Sequence, residues 1–148
     1  MEDNILNVML AHHALIDALF TTFVNEAKDK SPRTAAALAE FSWELRKHLF
    51  AEENAIFDFI PLKDFGVFET ISHLKDEHLA MLIDLKKIAD NLPEVNEKDV
   101  EDFGKLLDHH REMEDKELYP KLDKELREEQ KRQIIRRLKE IPVTNSKK

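Results

Sequence analysis

The segment Val100-Glu101-Asp102-Phe103-Gly104-Lys105-Leu106-Leu107-Asp108-His109-His110-Arg111-Glu112-Met113-Glu114 spaces its apolar residues three and four apart, the pattern of one helix face. His110 follows Leu107 by three residues, Leu106 by four and Phe103 by seven, and Glu114 lies one turn beyond. A histidine and a glutamate thus occupy the stripe that should face a core. The conflict recurs upstream. His48 is three residues after Leu45 and seven after Phe41, with Glu52 one turn on and Ile56 one turn further. His78 is four after Leu74 and seven after Ile71, with Leu82 and Leu85 beyond. His13 is four after Met9 and seven after Leu6, with Ile16 and Phe20 beyond.

Working outward, prolines and helix-start signals divide the chain. The pattern predicts helices over about 3–28, 32–60, 67–91 and 96–119. Ser31-Pro32 reads as an N-cap followed by a first-turn proline. Asn96 with Asp99 resembles a capping box. The residues before Gly66 read as a turn, and Pro120 as the end of the fourth helix. A fifth, amphipathic helix is expected over about 124–140, through Leu126, Ile134, Ile135 and Leu138, with Ile141 at its end. Long helices joined by short loops favour an all-α, up-down-up-down four-helix bundle with an additional C-terminal helix. The expected organisation is one domain over 1–141, with the bundle at about 3–119, and a flexible tail over 142–148.

Composition removes several function classes. The formal net charge is -8, a poor basis for binding phosphate backbone, so no nucleic-acid partner is expected. The absence of cysteine excludes disulfides, iron–sulfur clusters, zinc-thiolate sites and a thiol nucleophile. Two glycines are too few for a turn-rich sheet protein or a glycine-rich phosphate loop. The start lacks a signal-peptide pattern, and no apolar run reaches the roughly 20 residues of a membrane span. A cytoplasmic protein without a membrane partner is the expectation. Lys131, Arg132, Arg136, Arg137 and Lys139 on the fifth helix read as a solvated face, with a protein-docking surface as the alternative.

Heights along the bundle test the polar residues independently. On the predicted helix ends, His13, His48, His78 and His110 lie about 10, 12, 11 and 9 residues from one end. At ~1.5 Å per residue the four imidazoles share one level to within about 5 Å. One inward residue per helix at one level is the geometry of a bundle-core metal site. In an apolar core each such group would lose several kcal/mol of hydration without a compensating partner. Imidazole and carboxylate without thiolate suit iron, manganese or zinc. Two glutamates available to bridge, with two histidines on each side, suit a pair of ions rather than one.

His48-Leu49-Phe50-Ala51-Glu52-Glu53-Asn54-Ala55-Ile56-Phe57 recurs in outline as His110-Arg111-Glu112-Met113-Glu114-Asp115-Lys116-Glu117-Leu118-Tyr119. Each reads His, three residues, Glu, three residues, aliphatic, aromatic, and each follows a helix with an inward histidine, His13 or His78. Over about 4–119 this resembles the hemerythrin-like family, the HHE cation-binding domain. The resemblance implies a four-helix bundle around an oxo- or hydroxo-bridged pair of iron ions, with manganese or zinc as alternatives. It implies Glu52 and Glu114 as bridging ligands and His13, His48, His78 and His110 as terminal ones. It also implies a small-molecule partner: dioxygen, nitric oxide or peroxide. The roles it allows are sensor, scavenger or carrier, or ferroxidase or peroxidase-like turnover. An iron-responsive interaction module and a metal-free helical adaptor are the alternatives.

The chain departs from the oxygen-carrier pattern. Carriers have two histidines one turn apart on the third helix, where Leu74 precedes His78 here, and a fourth-helix Asp five residues after His, where Glu114 follows His110 by four. Fewer histidines favour redox turnover or sensing over stable carriage. His12 rivals His13, and His109 rivals His110. His73 reads as solvated, with a role as a fifth histidine as the alternative. Glu53 belongs on the rim, with support of a ligand as its alternative. Phe57 and Tyr119 read as end-of-bundle packing.

Overall fold

The computed structural model describes residues 4–58 and 66–140. The expected end of the second helix, the turn residues before Gly66, the helix start at Asp3, Ile141 and the tail lie outside the described residues. Eight elements follow: α1 (Ile5–Lys28), α2 (Thr34–Glu52), a first π-helical segment (Glu53–Phe57), α3 (Phe68–Asp90), α4 (Glu97–Met113), a second π-helical segment (Glu114–Leu118), α5 (Tyr119–Glu125) and α6 (Glu128–Glu140). No strand occurs among the described residues. The fold is the expected helical bundle with an added C-terminal helix.

Local chemistry sets the helix starts. Asn4 accepts from Asn7 N–H (2.7 Å) and caps α1. Asn96 accepts from the N–H groups of Lys98 (2.9 Å) and Asp99 (3.1 Å) and so caps α4, the N-cap half of the expected capping box. The second helix differs from expectation. Ser31 accepts from Arg33 N–H (3.0 Å) within a turn, and α2 begins only at Thr34. Gly66 takes φ +72°, where a side chain would strain the backbone.

The fourth rod departs most from the sequence reading. Pro120 does not stop it. The second π segment resets the hydrogen-bond ladder, so Pro120 enters at the first turn of α5, where a missing N–H is tolerated. The extension has a use: Asp123 accepts from the N–H groups of Ile5 (2.9 Å) and Leu6 (3.0 Å), first-turn donors of α1. The rod ends at Leu126, which is extended (ψ 149°), and the last helix begins at Glu128 rather than near 124.

Two apolar cores fill the bundle. One gathers Ile16, Phe23, Phe41, Leu45, Met81, Leu85 and Phe103. The other gathers Ile5, Met9, Ile56, Leu74, Leu118 and Tyr119, and α6 closes it with Ile134 and Leu138. Lys131 donates to Asp123 O (3.0 Å) and Arg137 to Asn54 O (3.1 Å), so part of the basic face of α6 ties it to the bundle. Ile134→Ala should cost about 3 kcal/mol in a denaturant melt, because the site is fully buried. A change under 0.5 kcal/mol would mean that α6 only rests on the surface.

α1 is long and apolar enough, by length and composition, to cross a membrane, a feature the sequence reading did not anticipate. In the fold it is a bundle helix, with Ile5, Met9, His13, Ile16 and Phe23 buried.

Candidate metal centre

Between the two apolar cores lies a polar layer. His13 comes from α1, His48 and Glu52 from α2, His78 from α3, His110 from α4 and Glu114 from the start of the second π segment. All six are buried, and the two glutamates are fully so. The helical spacing that put them on core stripes brings all six together.

Their ligand atoms form two groups, each within a 4.8 Å span: His13, His48, Glu52 and Glu114, and Glu52, His78, His110 and Glu114. Both glutamates belong to both groups. His78 Nε2 stands 2.9 Å from Glu52 Oε1, His110 Nε2 2.8 Å from Glu114 Oε2, and His13 Nε2 3.1 Å from Glu114 Oε1. His48 Nε2 is 4.0 Å from Glu52 Oε2. These approaches do not all make hydrogen bonds. Glu52 Oε2, His110 Nε2 and both carboxylate oxygens of Glu114 are buried without a properly directed partner among the described residues. Lone pairs aimed at a shared space, rather than at donors, fit cations between them.

The opposite ring nitrogens are held from behind. His78 Nδ1–H donates to Glu53 Oε2 (2.7 Å), and His110 Nδ1–H to Glu77 Oε1 (2.9 Å). His13 Nδ1–H donates to Asp115 Oδ2 (3.3 Å) and lies 3.0 Å from Oδ1. His48 Nδ1 and His12 Nδ1 share a hydrogen bond at 3.4 Å. Each arrangement fixes the ring and turns Nε2 inward, as supporting partners of metal-bound histidines do.

The repeat explains the pairing. In each copy the acid after the glutamate, Glu53 or Asp115, reaches a histidine on another helix, His78 or His13. The aromatic ending each copy meets the same histidine: Phe57 stacks on His78 with ring centres 5.8 Å apart, and Tyr119 lies 6.4 Å from His13. A π turn closes between residues five apart, as Asp58 N–H to Glu53 O shows (2.8 Å). That wider turn brings the acid and the aromatic to bear on one ring. Phe57 and Tyr119 therefore pack against the centre as well as the bundle end. Glu53 supports a histidine while staying partly exposed, so both readings of it hold in part. The two-fold likeness breaks at one place: His12 precedes His13, whereas Glu77 precedes His78. One side of the centre is thus held by two carboxylates, the other by one carboxylate and one imidazole.

Burial separates the rivals. His13 is buried and faces the layer, while His12 is partly buried behind His48. His73 and His109 face outward, their side chains 52% and 59% exposed, and meet Glu77 instead. Leu74 is fully buried in the apolar core.

The electrostatics describe a site with too much charge for its protons. Burial and the neighbouring Glu52 charge push the Glu114 carboxyl well above the usual range. Burial also raises Glu52, but the nearby Glu114 carboxyl and the His110 and His78 rings outweigh it and hold Glu52 well below. Burial keeps His48 well below an ordinary imidazole, hence neutral with a free lone pair. Burial lowers His13 too, yet the hydrogen bond to Asp115 and the nearby Glu114 carboxylate carry it up to about 9. Dications would replace these protons.

Beside the layer a cavity of about 10 Å³ is lined by His13, His48 and His110, by Ile16, Leu45, Leu49, Met81 and Leu107, and by Asp17 and Arg111. A wider cleft of about 290 Å³ between α1, α2 and α6 reaches His12 and His48.

A helical bundle with a buried layer of histidines and shared glutamates defines a class of metal-binding domain. The chain belongs to the hemerythrin family: the family model described as Hemerythrin HHE cation binding domain matches residues 4–122. Such domains bind metal cations, and the buried cluster fits a metal site. No curated protein and no solved structure matches the chain.

Sequence reasoning missed Glu77 and Asp115 as partners of ligand-type histidines. For Asp115 the signal was its equivalence to Glu53 in the repeat. Glu77 had no such signal, because its role depends on which residue of α4 stands opposite.

Proposed function

We propose that the chain is a non-haem di-iron protein that binds or reacts with a small oxidant: dioxygen, peroxide or nitric oxide. The observation that carries this reading is that Glu52 and Glu114 belong to both ligand groups. Two carboxylates shared between two pairs of histidines suit two ions better than one. His13 and His48 would hold one iron, His78 and His110 the other, with Glu52 and Glu114 between them. A bound iron pair would supply redox equivalents and an open coordination position.

The remaining residues select what reaches that position. The cavity beside the layer has about the volume of one water-sized probe, a size that suits a diatomic or peroxide. Its wall is mostly aliphatic, with the Asp17–Arg111 ion pair also lining it. Leu74, where oxygen carriers have a further histidine, leaves the ligand set smaller and favours turnover or sensing over carriage.

The test is to load the protein anaerobically with ferrous iron and add dioxygen, nitric oxide and hydrogen peroxide separately. A change in the visible spectrum with at least one supports the reading. An unchanged spectrum with all three overturns it. Recovery of the starting spectrum under vacuum would indicate carriage rather than turnover.

Asp115→Asn removes the charge behind His13. It should weaken metal binding roughly 10- to 100-fold against a competing chelator, with helix content unchanged. Wild-type affinity in this variant would show that Asp115 orients nothing the metal needs.

A further inference from the structure

All seven histidines of the chain lie in or beside the polar layer, and two of them, His73 and His109, are not used by the inner centre. They converge with Glu77 on the outer side of α3 and α4. His73 and Glu77 are one turn apart on α3, with His73 Nε2 3.2 Å from Glu77 Oε2. His109 reaches the same oxygen from α4, its Nδ1 2.9 Å away. The two rings stand edge to face, with centres 6.3 Å apart. The three ligand atoms lie within 4.8 Å of one another.

We propose that His73, Glu77 and His109 form a third, solvent-facing site for a divalent transition-metal cation, separate from the inner pair. Two imidazoles and one carboxylate are a donor set for zinc or ferrous iron rather than for magnesium or calcium. Ligands around one such ion, at roughly 2.0–2.2 Å from it, sit roughly 3.4 Å apart, close to the two distances to Glu77 Oε2. The half-exposed histidines leave water free to complete the coordination shell. Glu77 is the fixed point: only 7% exposed, it is anchored by accepting from His110 through its other oxygen. That anchor sets this group apart from a chance surface cluster. It also places an outer cation one carboxylate away from a histidine of the inner layer.

The experiment counts zinc. The protein as purified is titrated with Zn²⁺ by calorimetry, beside His73→Ala, His109→Ala and the double variant. Both histidines are half exposed, so the variants should keep the wild-type melting profile and inner metal content. Each single variant is expected to weaken the outermost equivalent of zinc at least tenfold, and the double variant to bind one zinc fewer than wild type. Equal stoichiometry and affinity in wild type and double variant would overturn the proposal. The readout is a difference of one equivalent, so it stands or falls whether or not the inner layer holds iron.

Discussion

Glu114→Gln is expected to lower the bound metal from the proposed two ions per chain to one or none, while the metal-free protein melts no lower than wild type. Glu114 serves both ligand groups, so losing its charge weakens both. Removing a supporting carboxylate from a metal site costs roughly 10- to 100-fold in affinity, and losing a shared ligand should exceed about 100-fold. The metal-free state responds differently. There, burial and the Glu52 charge already push the Glu114 carboxyl well above its usual range, towards its neutral form, and glutamine has nearly the same shape. Elemental analysis after dialysis and a thermal melt in chelator give the two readings. Full metal retention would contradict the bridging role. A collapsed metal-free fold would contradict the account of Glu114 as a carboxyl pushed towards its neutral form.

Removing the metal should lower the melting midpoint by about 10–20 °C at neutral pH. The two proposed ions, if each is present at about a hundred times its dissociation constant, would stabilise by about 5 kcal/mol together, and a domain of this size shifts about 2–4 °C per kcal/mol. The loss should deepen with pH. In the metal-free fold His13 has a pKa raised from 6.5 to about 9. Its stabilising contribution is complete below pH 6.5 and disappears as pH rises through 9. It amounts to on the order of 3 kcal/mol. With metal bound, His13 would be a neutral ligand, and this dependence would vanish. Melts of both forms between pH 6 and pH 9.5 check the sign. A metal-free protein whose stability rose over that range would contradict the assignment of His13.

The fold was readable because the bundle rests on periodicity. Phe41, Leu45, Leu74, Phe103 and Leu107 are where their spacing placed them, and His13, His48, His78 and His110 followed the same stripes inward. Polar residues on apolar stripes are a strong signal, because burying them without partners costs so much. What the spacing did not carry was anything set by a neighbouring helix. The pairing of Asp115 with His13 spans 102 residues, and that of Glu77 with His110 spans 33. The π segments were hidden as well, since their apolar pattern fits an ordinary helix to within a residue. They changed the reading of Pro120 from a stop to a first-turn residue of α5. Asp123 then caps α1, a contact no local rule predicts.

The most direct test of the central claim is an anomalous difference map from crystals of the iron-loaded protein, recorded at the iron edge. The account predicts two peaks per chain in the layer between the apolar cores, roughly 3.5–4 Å apart, with Glu52 and Glu114 between them. A single peak, or none within reach of both glutamates, would contradict it.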